Sequence, residues 1–70
     1  MSGLRTFHFY HRETGEFHSK KFCCDSGNPY GERDAAANAP DGHAHIEAHI
    51  VEPWKHRVDV STGKLVSLTP

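Results

Sequence analysis

Histidines and one glutamate recur at every second position of a short segment. The polar positions are His43, His45, Glu47 and His49, and the residues between them are alanine or isoleucine. Alternation with a period of two is typical of a half-buried strand, which places the three imidazoles and the carboxylate on one face. Imidazole and carboxylate groups are ligands for zinc and nickel. This segment is therefore the candidate metal site of the chain.

Strand geometry limits which of these side chains can share one ion. On an extended strand, His43 and His45 lie about 7 Å apart at their Cα atoms, so their side chains can converge. His49 lies about 13 Å from His45, which is too far without a bend. Glu47 could add an oxygen ligand. A tight site would need one more ligand from a neighbouring strand, and the candidates are His8, His11, His18 and His56.

The alternative interpretation of this segment is a solvent-facing strand whose polar positions include histidines. We therefore assign no metal ligand, no cofactor and no cofactor-binding residue. Binding of Zn or Ni by a small metal-stapled domain, through His43 and His45, is retained as the second hypothesis. A metal would suit a chain of this size, because small domains often need a staple.

Patterns that would indicate an enzyme are missing from the sequence. Cys23 and Cys24 are adjacent, which matches neither zinc-ribbon nor Cys-x-x-Cys redox spacing. We expect both to be reduced, one facing in and the other out. There is also no Gly-x-Ser-x-Gly, no phosphate-binding glycine loop and no His-Glu-x-x-His. The sequence therefore predicts a non-enzymatic protein with no catalytic residues.

Size and charge exclude further classes. Seventy residues form one small domain, residues 1–70, with a marginal core that oligomerisation could support. Eight Lys+Arg against nine Asp+Glu, without a basic cluster, argue against nucleic-acid binding. No apolar run approaches the ~20 residues of a membrane span. The beginning of the sequence does not resemble a signal peptide, so we expect a cytoplasmic protein without membrane association.

The elements that would position these side chains begin with a hairpin. An aromatic-rich strand is predicted over residues 4–11, with Phe7 and Phe9 on one face. A turn over 12–15 closes on Gly15 in the left-handed conformation. The second strand covers 16–22, with Phe17 the inward residue.

The remainder of the chain alternates loops with short elements. Residues 23–31 have loop composition, and alanines at 35–37 predict a helix of at most two turns over 32–38. A turn over 39–42 leads into the histidine-bearing strand, 43–51, which we predict to be the central strand.

After that strand, Pro53 should interrupt the chain, and Trp54 should fold over an edge of the core. A last hairpin, 56–60 with 64–68, turns about Ser61-Thr62-Gly63. The fold class is α+β: a small, mainly antiparallel β-sheet domain with the order β-β-short α-β-β-β.

Three segments in this order resemble a family of short bacteriophage and prophage proteins encoded near tail-fibre and tail-assembly genes. They are Tyr10-His-Arg-Glu-Thr-Gly-Glu-Phe17, the segment from Ala36-Ala-Asn-Ala-Pro-Asp-Gly-His43 to Glu47, and Arg57-Val-Asp-Val-Ser-Thr-Gly-Lys-Leu-Val66. The resemblance covers most of residues 7–68 and depends on turn-forming residues.

The resemblance implies a non-enzymatic structural or interaction module of a phage or prophage tail, or of tail assembly. Its partners would be other phage tail or assembly proteins, and a homo-oligomer is open because outer strands offer unpaired backbone groups. The expected location is the cytoplasm of the bacterial host, with incorporation into the virion as a further option. The resemblance supplies no catalytic residue.

Overall fold

A computed structural model describes residues 3–68. The strands are β1 (Leu4–His11), β2 (Phe17–Asp25), β3 (His43–Glu47), β4 (His56–Asp59) and β5 (Lys64–Ser67). The helix α1 (Gly31–Asn38) lies between β2 and β3, and a 3₁₀ turn, Pro53–Lys55, precedes β4. This element order confirms the predicted small α+β class. Between residues 3 and 68, no helix is both long and apolar enough to cross a membrane.

The strands form two antiparallel sheets, one with the order β2-β1-β3 and the other with the pair β4-β5. The aromatic-rich β1 is the central strand, because Phe7 lies opposite Phe22 on one side and Glu47 on the other. The prediction that 43–51 is the central strand is therefore wrong. β3 is an outer strand and ends at Glu47.

The chain leaves the sheet after β3, and the apolar side chain of Ile50 packs on another part of the fold. The Ala48 N–H still donates a hydrogen bond to the Thr6 carbonyl at 3.0 Å, but residues 48–50 are not strand. Ile50 is only 8% exposed and contributes to a groove on the far side of β1, with His8. Burial of Ile50 thus competes with continuation of β3.

One face of the three-stranded sheet is covered by α1, and we call it the helix face. Phe7 and Phe9 lie on it, as predicted, and both are fully buried, as is Ala35 of the helix. The helix begins where it can approach closely: a Cβ on Gly31 would lie 2.7 Å from Nη1 of Arg5 and 3.0 Å from Sγ of Cys24. A larger residue at position 31 would require the Arg5 and Cys24 side chains to move.

The other face of β1, which we call the opposite face, carries His8. This imidazole is 3% exposed and packs edge-on against the Phe17 ring, with centroids 5.8 Å apart. The second sheet adjoins β2, where Glu16 pairs with Arg57. Fully buried Val58 anchors that contact. Both faces of β1 are therefore covered, and apolar burial is divided between two thin layers.

The three predicted glycine turns are confirmed. Gly15, Gly42 and Gly63 have φ values of 79°, 74° and 75°, the left-handed region that favours glycine. The register of β1 against β2 shifts between His8 and Tyr10, as expected of a bulged hairpin.

Two further predictions are wrong. The segment Cys23 to Asp25 was predicted to be loop but belongs to β2, because these residues pair with the first residues of β1. Trp54 was predicted to cover the core, yet it is 71% exposed. Val58 and Ile50, which are smaller, occupy the buried positions on that side. Phe17 is half-buried, Cys23 is exposed and Cys24 is half-buried.

Candidate functional site

The polar side chains of β3 lie on the helix face of the sheet, and each has its own partners. His45 lies edge-on to the Phe7 ring, with centroids 5.9 Å apart. Its Nε2 is 3.8 Å from a carboxylate oxygen of Glu32 in α1. His49 is exposed and lies beyond the end of β3. These contacts make His45 a packing residue between the sheet and the helix.

Glu47 is held by an arginine of the neighbouring strand. Both carboxylate oxygens accept hydrogen bonds from Arg5, at 3.0 Å from Nε and 2.8 Å from Nη2. The hydrogen bond from Arg5, aided by its charge, lowers the pKa of Glu47. Arg5 also donates to the Asn28 carbonyl at 3.2 Å. The carboxylate is therefore engaged in joining β1 to β3 rather than presented to a metal ion.

His43 belongs to a cluster of three imidazoles, and the other two, His11 and His18, are among the neighbouring-strand histidines that were predicted as candidates for a further ligand. Its ring centroid is 5.4 Å from that of His11 and 5.1 Å from that of His18. Both neighbouring Nδ1 atoms accept backbone hydrogen bonds: His11 from Glu13 at 3.1 Å, and His18 from the residue two positions later, at 2.9 Å. In the neutral rings of His11 and His18 the proton therefore lies on Nε2.

This tautomer disfavours metal binding at the cluster, because Nε2 could bind an ion only after its proton moved to the Nδ1 that accepts a backbone hydrogen bond. Over residues 3–68, no group of three or more His, Cys, Asp or Glu side chains is arranged to hold a metal ion. His43 and His45 face different neighbours, and Glu47 is paired. Metal binding by His43, His45, Glu47 or His49 stays a prediction with no geometric support.

A groove on the opposite face has the shape of a binding site. Its apolar wall is formed by Phe17, Ile50, Pro53 and Trp54, and its volume is about 450 Å³. His8 and Lys21 lie among the lining residues, which include neither an aspartate nor a glutamate. A second depression continues from it across Trp54 towards Leu68.

His8 is the buried polar residue of this groove. Its Nε2 exposes less than 1 Å² and has no hydrogen-bond partner, the sole such side-chain nitrogen or oxygen among the described residues. Burial lowers the pKa of His8, and the charges of Lys21 and His49 lower it further. The imidazole is therefore held in its neutral form.

Exposed apolar side chains line the groove and the second depression. Val51 is 78% exposed, Trp54 71% and Leu68 53%. We call these three residues the tryptophan patch. Trp54 borders both depressions, with Val51 on one and Leu68 on the other.

The sequence did not identify this groove. Alternation in β1 predicted that Phe7 and Phe9 share one face, and it made no prediction of what covers the other face, where His8 is buried. The available signal was the apolar residues after β3, since burial of Ile50 and Val58 requires a second packed layer. These apolar residues indicate that the second face of β1 is also covered. Local sequence patterns do not show which residues cover it.

The fold and the groove together define a small α+β domain with exposed apolar side chains beside a groove. Comparison of the chain with protein-family models, with curated proteins and with solved structures finds no match.

Proposed function

We propose that this protein is a non-enzymatic interaction module of a phage or prophage tail or of tail assembly, acting through protein–protein contacts. The observation that carries the proposal is the tryptophan patch. Large apolar side chains clustered on a small surface characterise interaction sites, and tryptophan is enriched among residues that contribute most to binding.

The exposure of Trp54 supports this interpretation. In a domain with so little core, a tryptophan would stabilise the fold most if it were buried. Here the fully buried large side chains are Phe7, Phe9 and Val58, and the indole remains exposed beside Pro53. A partner that covers Trp54 would bury apolar surface that stays exposed in the folded protein, and this burial would favour binding.

The phage context is supported by the three ordered turn segments that resemble tail-associated proteins. Each segment forms a turn closed by a glycine with positive φ: Gly15, Gly42 and Gly63. Such residues determine the fold and leave the surface free to vary between partners. The partners we propose are other tail or tail-assembly proteins, encountered in the bacterial cytoplasm or in the virion.

A second copy of the chain is a further partner, bound either through the tryptophan patch or through a strand edge. β2 and β3 are the outer strands of the larger sheet, and outer strands can pair with another chain. Self-association through the tryptophan patch would respond to Trp54→Ser, whereas association through a strand edge would not. Sedimentation velocity over a range of concentrations separates the two cases.

Site-specific photo-crosslinking in the bacterium that carries the gene, during phage production, tests the proposal. A photoreactive amino acid replaces Val51 in the patch or, as a control, Leu4, which is exposed to a similar degree at 76% but lines a different depression. We expect crosslinks to a tail or tail-assembly protein from position 51, reduced when Trp54→Ser is added, and few from position 4. Crosslinks only to metabolic proteins, or equal yields at both positions, would contradict the proposal.

A further inference from the structure

The groove beside the tryptophan patch combines an apolar wall with the polar side chains of His8 and Lys21, a composition typical of a ligand-binding site. Its volume of about 450 Å³ lies within the range of small-molecule sites, which are roughly 300–1,000 Å³, mostly apolar, and contain a few convergent polar groups. Phe17, Ile50 and Trp54 supply the apolar wall, and Ile50 is itself 8% exposed. The groove is therefore lined in part by buried residues of the folded core, Ile50 and His8.

The polar residues that line the groove are His8, His18, Ser19 and Lys21, and none of them is acidic. Lys21 is cationic, and it forms no ion pair with any residue in the described part of the chain. Nε2 of His8 is buried without a hydrogen-bond partner. Buried polar groups are nearly always paired, so an orphan in a groove indicates a missing partner. An imidazole that carries its proton on Nε2 would donate to an acceptor there, and since no carboxylate of the chain lines this groove, an acceptor that also carries negative charge would pair with both His8 and Lys21.

We propose that the groove binds a small apolar carboxylate, whose hydrocarbon body lies against Phe17 and Trp54 and whose carboxylate accepts hydrogen bonds from Lys21 and His8. A carboxylate combines one negative charge with acceptor oxygens, and its charge-assisted hydrogen bonds are stronger than neutral ones. A purely apolar ligand would leave the imidazole nitrogen unpaired. A strongly hydrophilic anion would gain nothing from the apolar wall.

Entry of the carboxylate requires movement at the rim, because less than 1 Å² of Nε2 is exposed. The rim is formed by Val51 and Trp54, which are 78% and 71% exposed. Side chains that are mostly in solvent change rotamer rapidly. Binding therefore requires the rim side chains to move together with the Phe17 and Ile50 side chains beside His8, on the face of β1 opposite Phe7 and Phe9.

The experiment uses octanoate as the probe and octanamide, which has the same chain without the charge, as its matched control. Trp54 is the only tryptophan of the chain, so its fluorescence reports directly on the groove. We expect octanoate to bind about tenfold more tightly than octanamide. Lys21→Gln should remove most of this difference, whereas Lys64→Gln, on the exposed surface of β5, should preserve it.

Nuclear magnetic resonance supplies the second readout. Octanoate should shift the His8 ring nitrogen and the Ile50 methyl signals, and octanamide should leave the His8 nitrogen nearly unchanged. Equal binding of the two probes would show apolar adsorption only and would overturn the proposal, as would octanoate shifts located away from the groove. Lys21→Gln should not alter crosslinking from position 51, so failure of this inference is distinguishable from failure of the contact function.

Discussion

His8 is a buried imidazole whose environment opposes its protonation. It lies against Phe17 and lines the same groove as Ile50 and Trp54. The positive charges that reach it come from Lys21 and His49. Because burial is the principal cause of its lowered pKa, the neutral form is favoured by the fold itself.

The lowered pKa of His8 predicts loss of stability on acidification. The unfolded chain protonates His8 near the ordinary value of 6.5, whereas the folded protein does so only at lower pH. Between these values the unfolded state binds more protons, so the free energy of unfolding rises with pH and falls as the solution is acidified. Urea denaturation at pH 7.5 and pH 5.5 should show a larger loss for the natural sequence than for His8→Phe.

His49→Gln is the control for that comparison, since it removes an exposed histidine but leaves His8 in place. It should retain most of the pH-dependent loss. If His8→Phe and the natural sequence lose the same amount of stability between the two pH values, burial of His8 does not govern the response.

At the level of elements, the two Thr-Gly turns are chemically alike but structurally unequal. Gly15 and Gly63 both have positive φ. A Cβ on Gly15 would overlap the carbonyl oxygen of Val58, whereas a Cβ on Gly63 would meet nothing within 4 Å. The Gly15 carbonyl also accepts a hydrogen bond from the Val58 N–H at 2.9 Å. The first turn is therefore a backbone contact between the two sheets.

This difference predicts unequal effects of the same substitution. Gly63→Ala should cost about 1–2 kcal/mol, the penalty for a left-handed residue with a side chain. Gly15→Ala adds the overlap with Val58 and should cost about 3 kcal/mol or more. Chemical denaturation of both variants measures the difference.

Equal losses of stability for Gly15→Ala and Gly63→Ala would mean that the contact between Gly15 and Val58 contributes little. Gly42→Ala is an additional control, because its φ is 74° and the space around it is also open.

The elements that the sequence predicted well are those defined by local signals. β1, α1 and the glycine turns follow from aromatic alternation, an alanine triplet and left-handed glycines. The missed features depend on distant residues. Cys23 and Cys24 extend β2 only because Thr6 and Arg5 are available to pair with them. β3 is an outer strand because β1 accepts partners on both sides, which no local pattern records.

The candidate site shows the same limit. The alternation of His43, His45 and Glu47 correctly predicted their shared face, since these residues lie opposite His11, Phe9 and Phe7. The partners Glu32 and Arg5 were not predicted, because they come from other elements, whereas His18 was among the candidates from a neighbouring strand. The groove was missed because His8 is covered by residues more than forty positions later in the chain.

At the level of the whole molecule, the metal hypothesis can be tested directly. A structural metal would contribute its binding free energy to folding. The separate partners of His43, His45 and Glu47 instead predict that a chelator leaves the thermal midpoint unchanged within about 1 °C, since loss of even 1 kcal/mol would shift it by roughly 4–8 °C. A fall of several degrees, reversed by zinc or nickel, would contradict this and restore the metal-stapled interpretation.

The contact between Gly15 and Val58 also determines where the molecule tolerates added sequence. Residues 60–63 form an exposed turn between β4 and β5, so a reporter peptide inserted there extends into solvent from the β4-β5 hairpin. The same peptide inserted at 13–14 would push apart the chain segments through which that hairpin is attached to the larger sheet. Of two loops with nearly the same residues, only the later one is a suitable attachment point for a label.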